Sequence, residues 1–271
     1  MNNNCYIVIH QGIGDLFNSI GIINYYEQKY NNIFILVLND LNLNILKEIF
    51  FEKKNIIPII PEFINYEENA DQNTCIRCMT YGRPLNYCRD NYSCKYINYS
   101  KLNGEIIKIG SFDNCNKWEI YRKNQFSFAH SFYSYNNLDP YLRINNFKLF
   151  NDNSKANVIY NKFITNYGEK YILVHEDIDR NLTINKNKII NKNLPIINLN
   201  KISEYFVDYL FVIKNAQEIH LIDSSWSVFI YLLSNAEIQN IPIFLNESYF
   251  KSFGRDTNIY KNPTYDNWIF Y

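Results

Sequence analysis

The stretch His10–Tyr26, HQGIGDLFNSIGIINYY, follows the apolar run Cys5-Tyr6-Ile7-Val8-Ile9 and decides how the rest of the chain is read. An apolar run of that length, ended by two glycines and followed by residues at helical intervals, predicts a buried strand, a tight turn and a helix. Gly12 and Gly14 are expected to take positive φ and bring the backbone close to whatever lies above the strand end. Asp15 falls at or beside the expected helix N-cap, where a carboxylate accepts backbone N–H bonds. Ile20, Ile23 and Asn24, filled out by Phe17, Gly21 and Tyr25, supply the helical spacing. Two readings of the loop stay open, the capped first helix of an ordinary α/β domain and a ligand loop with a positioned carboxylate. A short Gly-x-Gly does not separate them.

Working outward, buried strands alternate with helical segments. Ile33–Leu38 is a second apolar run, Leu43–Phe50 a short helix candidate, and Asn55–Ile60 a third strand closed by Pro61. This alternation predicts a parallel sheet with right-handed crossovers. Residues 65–103 break the rhythm and read as a Cys- and Tyr-rich insertion, after which GEIIKIG at Gly104–Gly110 resumes as a strand. Gln125–Leu138 has helical spacing, with Phe128, Phe132 and Tyr133 as its core stripe and His130 on the same helix. A second α/β unit is expected from residue 155. It holds a helix at Val158–Tyr167, strands at Tyr171–His175, Pro195–Leu199, Glu218–Asp223 and Ile241–Leu245, and helices at Ile202–Asn215 and Trp226–Leu233. The expected division is therefore 1–154 and 155–271.

Composition narrows the class. The chain has 271 residues, of which 47% are hydrophobic and 20% charged, so it builds a large core and is not a disordered segment. The abundance of Asn, Ile, Lys, Tyr and Phe reflects AT-rich codons, so the Asn runs do not argue for disorder. Lys plus Arg and Asp plus Glu stand at 27 each. That balance argues against a nucleic-acid partner, which selects a basic excess or face. No apolar stretch reaches the roughly 18 residues that span a bilayer, and MNNNC does not open a signal peptide. The expectation is an intracellular, cytoplasmic protein without a membrane span.

Cys75, Cys78, Cys88 and Cys94 are spaced C-x2-C-x9-C-x5-C inside the insertion, with Cys5 and Cys115 apart from them. Four thiolates so spaced suit a structural Zn²⁺ on the first pair, while the second pair is irregular. Zinc, disulfides and free thiols all stay open. The cluster reads as structure and not as chemistry.

Ligands of open α/β sheets bind beyond the carboxyl ends of the strands, near a topological switch point. Three groups satisfy that rule: Gly12-Ile13-Gly14-Asp15, His175–Arg180, and Asp223-Ser224-Ser225. Ser224 and Ser225 stand where a strand gives way to a helix, so their hydroxyls join the N–H groups of a helix N-terminus, a site suited to phosphate. A plain Ser N-cap is the alternative. Arg180 adds a permanent cation whose fork matches phosphate oxygens, and an exposed surface arginine is the alternative there.

On these motifs the chain resembles GT-B glycosyltransferases. HQGIGDLFNSIGIINYY is similar to the N-terminal GxGD loop of the heptosyltransferase-like branch. YILVHEDIDR and EIHLIDSSWSVFIYLL resemble the donor lobe of small viral and bacterial glycosyltransferase-like proteins, and FAHSFYSYNNLDPYLRINNF resembles the linker of that group. The resemblance implies two Rossmann-like lobes with parallel sheets about a central cleft, the second lobe reduced because the chain is short for the fold. It implies transfer of a sugar from a nucleotide-diphosphate-sugar donor to a glycan hydroxyl, inverting and without a catalytic metal. Asp15 would be the general base, with His10 as a rival base on the same loop, and Gly12 and Gly14 would shape the acceptor side. His175, Arg180, Asp223, Ser224 and Ser225 would hold the donor, Arg180 neutralising the diphosphate. The turn HEDIDR carries more acid than a diphosphate pocket calls for. The alternative is a non-catalytic nucleotide- or glycan-binding protein that retains the fold.

Overall fold

The computed structural model describes residues 3–65, 95–110, 128–199, 206–234, 237–247 and 265–271. Cys75, Cys78, Cys88, Cys94 and Cys115 lie outside them, as do residues 125–127 and 202–205 of two expected helices. The chain is mixed α/β and divides into two compact units, Met1–Phe150 and Asn151–Tyr271.

In the first unit, β1 (Asn4–Ile9), β2 (Asn32–Leu36), β3 (Ile56–Ile59) and β6 (Glu105–Ile109) form a parallel sheet in the order β3-β2-β1-β6. Ile7 lies opposite both Ile35 and Ile107. Cys5, Ile7, Val8 and Ile9 have no exposed surface, as expected of a parallel strand covered on both faces. The chain starts in the middle, steps outward to β2 and β3, and returns on the far side of β1 as β6. The topological switch point therefore lies between β1 and β6. β4 (Phe63–Asn65) and β5 (Lys95–Ile97) form a two-stranded antiparallel ribbon, so the last part of the segment 65–103 read as an insertion is regular structure. Ile97 joins Val8 and Leu36 in a core cluster against which Phe63, Tyr99 and Leu102 pack.

Helix α1 (Ile13–Glu27) buries Leu16, Phe17, Ile20, Ile22 and Ile23 completely, and Asn18, Ser19 and Asn24 almost so. It is enclosed because α3 (Phe128–Ser134) and α4 (Leu142–Asn145) pack on it from outside the sheet. Between them, α2 (Asp40–Ile49) starts three residues earlier than its apolar spacing indicates. Asn39 caps it, its Oδ1 accepting the Asn42 N–H at 2.8 Å.

In the second unit, β7 (Ile172–Val174), β8 (Ile196–Asn198), β9 (Glu218–Ile222), β10 (Ile243–Asn246) and β11 (Trp268–Phe270) form a parallel sheet in the order β11-β10-β9-β7-β8. Counted within the unit this is the doubly wound order 2-1-3-4-5, with its switch point between β7 and β9. Helix α5 (Asn153–Tyr167) begins five residues before the expected one. Asp152 caps it by accepting the Ser154 N–H at 2.8 Å, and Gly168, at φ +85°, follows its last turn. A 3-10 turn at Phe206–Tyr209 leads into α6 (Leu210–Lys214), and α7 (Ser225–Leu233) follows β9. β11 lies in a tail whose sequence shows no strand pattern, and its Trp268 Nε1 donates to Ser234 Oγ at 2.9 Å.

The β7–β8 connection is unusual in holding only a 3-10 turn, at Lys186–Lys188. It covers the sheet as a strap, with Ile184 and Ile189 packed on Ile172 and Val174. At the strand starts the buried Glu218 carboxylate accepts the Ile190 N–H at 3.0 Å and the Asn191 N–H at 2.6 Å. It also pairs with the buried His220, Nε2 to Oε2 at 3.1 Å. Burial works to raise the Glu218 pKa, but these hydrogen bonds hold it below the usual range.

Candidate functional site

The loop after β1 is built tightly at the first switch point. His10 is buried and stacks on Phe132 of α3, ring centroids 5.4 Å apart. Gly110, which ends β6, turns at φ +110°, and a Cβ there would stand 2.3 Å from His10 Cδ2. Burial pushes the His10 pKa down to about 4, so the imidazole is neutral at neutral pH. Gln11 ties three elements together. Its Oε1 accepts the Leu38 N–H at 3.0 Å and Asn42 Nδ2 at 3.1 Å, and its Nε2 donates to the Ile9 carbonyl at 3.0 Å.

The glycines of this loop do not take positive φ. Gly12 is the N-cap of α1, extended at φ −64° and ψ 135°, and Gly14 is already helical. The reason Gly12 is glycine is space, since a Cβ would meet Asp15 Oδ2 at 2.9 Å. Asp15 is the third helical residue, not the N-cap, and its carboxylate curls back over the start of α1, where the helix dipole favours negative charge.

At the second switch point the two charged segments come to one end of one sheet. His175, directly after β7, is buried and donates its backbone N–H to the His220 carbonyl of β9 at 2.9 Å. Glu176 Oε1 accepts the Ile184 N–H at 3.1 Å. Asp177 and Leu182 exchange backbone hydrogen bonds of 2.8 Å each, closing a tight hairpin in which Asn181 takes φ +55°. Inside it, Asp177 Oδ1 accepts the Arg180 N–H at 3.0 Å and Oδ2 accepts Arg180 Nε. Those bonds, the side-chain one first, hold the Asp177 carboxyl below its ordinary range.

On the β9 side, Asp223 leads into Ser224, the N-cap of α7. Ser224 Oγ accepts the Ser227 N–H at 3.4 Å, while Ser227 Oγ accepts the Ser224 N–H at 2.9 Å, a reciprocal capping box. Ser225 is the first helical residue. The Ser224 hydroxyl thus has a structural task, and the helix start offers a ligand its first N–H groups.

Sequence reasoning passed over Gln11, Asn42, Gly110, Glu218, His220 and Ser227. Signals existed for three of them. Glu218 and His220 alternate within the otherwise apolar strand EIHLI, and Ser227 stands three residues after Ser224. Among the described residues, no group of three or more His, Cys, Asp or Glu side chains is arranged to hold a metal ion. No helix among them is long and apolar enough to cross a membrane.

No family model matches the chain, and no curated protein matches it significantly. Among solved structures, the chain is similar to the crystal structure of NodZ alpha-1,6-fucosyltransferase soaked with GDP-fucose. The TM-score is 0.36 at 12% identity, over 89% of this chain and 94% of that one. A TM-score of that size does not establish a shared fold, so the α/β architecture rests on the chain's own two sheets.

Proposed function

We propose that the protein is a glycosyltransferase of the GT-B type, in which the second unit takes a nucleotide-diphosphate-sugar donor and the first unit takes a hydroxyl acceptor. One observation supports the reading: His175–Arg180 and Asp223–Ser225, 43 residues apart in sequence, follow the adjacent parallel strands β7 and β9, so both start from the carboxyl end of the second sheet at its switch point. That end is where doubly wound sheets bind nucleotides. The segment after β9 supplies a helix start suited to phosphate, and the segment after β7 an arginine suited to the same charge.

The chemistry follows from these roles. The Asp15 carboxylate removes the acceptor hydroxyl proton, and the oxygen attacks the anomeric carbon from the face opposite the diphosphate. The bond to the diphosphate oxygen breaks, and Arg180 with the first N–H groups of α7 holds the charge that leaves. An ordinary Asp titrates near 3.9, so Asp15 acts through placement more than through basicity. The neutral, buried His10 supports the loop and is the weaker candidate base.

A panel of nucleotides screened by thermal shift, followed by donor hydrolysis assays, tests this. A rise in melting temperature with one nucleotide diphosphate, together with slow hydrolysis of the matching sugar donor, is expected. Absence of both across the panel overturns the reading. Asp15→Ala should abolish transfer with donor affinity within about twofold, whereas Arg180→Ala should weaken donor binding about tenfold, the order of one charge-assisted contact. Equal loss of donor binding in both variants would contradict the assignment.

A second reading has its own support. Arg180 is engaged by Asp177 and Ser224 by its capping box, an arrangement equally suited to a binding protein without turnover. Nucleotide binding with no hydrolysis or transfer for any donor would select it.

A further inference from the structure

The strap between β7 and β8 is built on little packing of its own. Of residues 183–194, only Ile184 and Ile189 are buried and Leu194 half-buried, while every other side chain is exposed. Side chains at the two opposite ends of the sheet tie it down. At the carboxyl end, the Ile184 N–H donates to Glu176 Oε1, the Asn185 N–H to Tyr271 Oη at 3.0 Å, and Asn246 Nδ2 to the Thr183 carbonyl at 2.9 Å. At the amino end the ties converge on the carboxylate of Glu218. It accepts the Ile190 and Asn191 N–H groups and the Asn191 side-chain amide from the strap, and His220 Nε2 from its own strand.

A carboxylate only accepts hydrogen bonds, so these converging donors suit the ionised group and not an amide of the same shape. Glu218 is fully buried in the middle strand of the sheet, whereas Ile190 and Asn191, which it holds, are exposed. One charged side chain thus joins the rigid sheet to a surface segment. Segments with few buried contacts open locally at a fraction of the global unfolding free energy. Here two isoleucines and a handful of side-chain bonds stand against the backbone freedom that twelve residues regain on release.

We propose that residues 183–194 are a lid latched by Glu218: they open and close as one unit, and the closed lid is the form that takes the donor. The lid runs on directly from the hairpin that carries Arg180, so its ties at the carboxyl end fix the chain beside the proposed donor site. Release at Glu218, at the opposite end of the sheet, loosens those ties. Glu218 is thus a positioning residue that acts through the lid. The closed-lid requirement rests on the donor reading; the latch does not.

Native-state hydrogen exchange on the full chain, read amide by amide, tests both. In wild type the amides of Ile184, Asn185, Ile190 and Asn191 should share one opening constant and exchange at least about a hundredfold faster than those of β7 and β9. Asn191→Ala removes one latch bond from an exposed side chain and leaves the core intact. It should speed lid exchange about tenfold, the order of one hydrogen bond to a charged group. The factor should be the same at Ile184 and Asn185, whose own bonds the substitution does not touch. Acceleration confined to residues 190 and 191 overturns the lid, and so do wild-type lid amides as slow as those of β7 and β9. Glu218→Gln keeps the shape but turns an acceptor into a donor, and should speed the same four amides further. Wild type and Asn191→Ala decide the matter even where Glu218→Gln does not fold. Saturating GDP or UDP should slow lid opening, because a ligand shifts an equilibrium only by its preference for one state. Nucleotide binding that leaves the lid rates unchanged overturns the closed-lid requirement. The expected exchange pattern with no nucleotide bound overturns the donor reading, and that requirement with it, and upholds the latch.

Discussion

Gly110 carries two constraints at once: a φ of +110° and a position where a Cβ would stand 2.3 Å from the His10 imidazole. Backbone strain and overpacking each cost about 1–3 kcal/mol. Gly110→Ala should therefore lower unfolding free energy by about 2–4 kcal/mol, read from urea denaturation; a loss under about 1 would show that His10 yields. The same imidazole makes stability depend on pH. Its folded pKa of about 4 lies below the ordinary 6.5 because burial disfavours the charged form. The unfolded chain thus binds the extra proton, and stability is complete above pH 6.5 and declines as pH falls toward 4. That difference corresponds to about 3 kcal/mol. His10→Gln should flatten this part of the curve, leaving the share of His130, which burial and the Arg143 charge also push to about 4. An unchanged slope would refute the buried neutral imidazole. The sequence announced Asp15 through its spacing from Gly12 and Gly14. It could not announce Gly110, whose reason for being glycine is an imidazole one hundred residues earlier in the chain.

At the level of elements, α1 shows what periodicity reveals and what it hides. Its apolar positions gave the helix. The close approach of α4 has no periodic signature, because Gly21 alone makes room: a Cβ there would meet the Leu142 carbonyl oxygen at 2.3 Å and Tyr133 Oη at 2.8 Å. An exposed helical glycine gains about 1 kcal/mol when replaced by alanine. Here the sign should invert, with Gly21→Ala destabilising by about 1–3 kcal/mol as α4 is forced outward. Chemical denaturation decides, and a stabilised variant would mean that α4 moves freely. Helix starts were the hardest boundaries to read. Asp152 opens α5 with a polar first turn, and Asn39 opens α2 with a turn whose Leu41 is exposed, so neither start carries the apolar spacing of a core face. Strand β11 was missed for a different cause. Its three residues form a strand by pairing with β10, as in Ile243 opposite Trp268, and not through any local pattern.

For the whole molecule, 27 basic and 27 acidic side chains leave no net charge at pH 7. Colloidal repulsion is then weakest at neutral pH. Light scattering at low salt should show self-association strongest near pH 7 and reduced at pH 5.5 and 8.5; a flat profile would point to association through apolar surface instead. The alternation of strands and helices made two parallel sheets legible. Strand order was not, since it depends on which edge each returning strand meets. The return of β6 has a consequence in time. Cys5 pairs with Glu105 and Ile9 with Ile109, while the other edge of β1 pairs from Asn4 opposite Asn32 onward. With synthesis at about 5–20 residues per second, β1 is made about 5–20 s before its second neighbour. During translation one edge of the most buried strand of the first unit stays open, and the nascent chain depends on whatever shields that edge until residue 109 arrives.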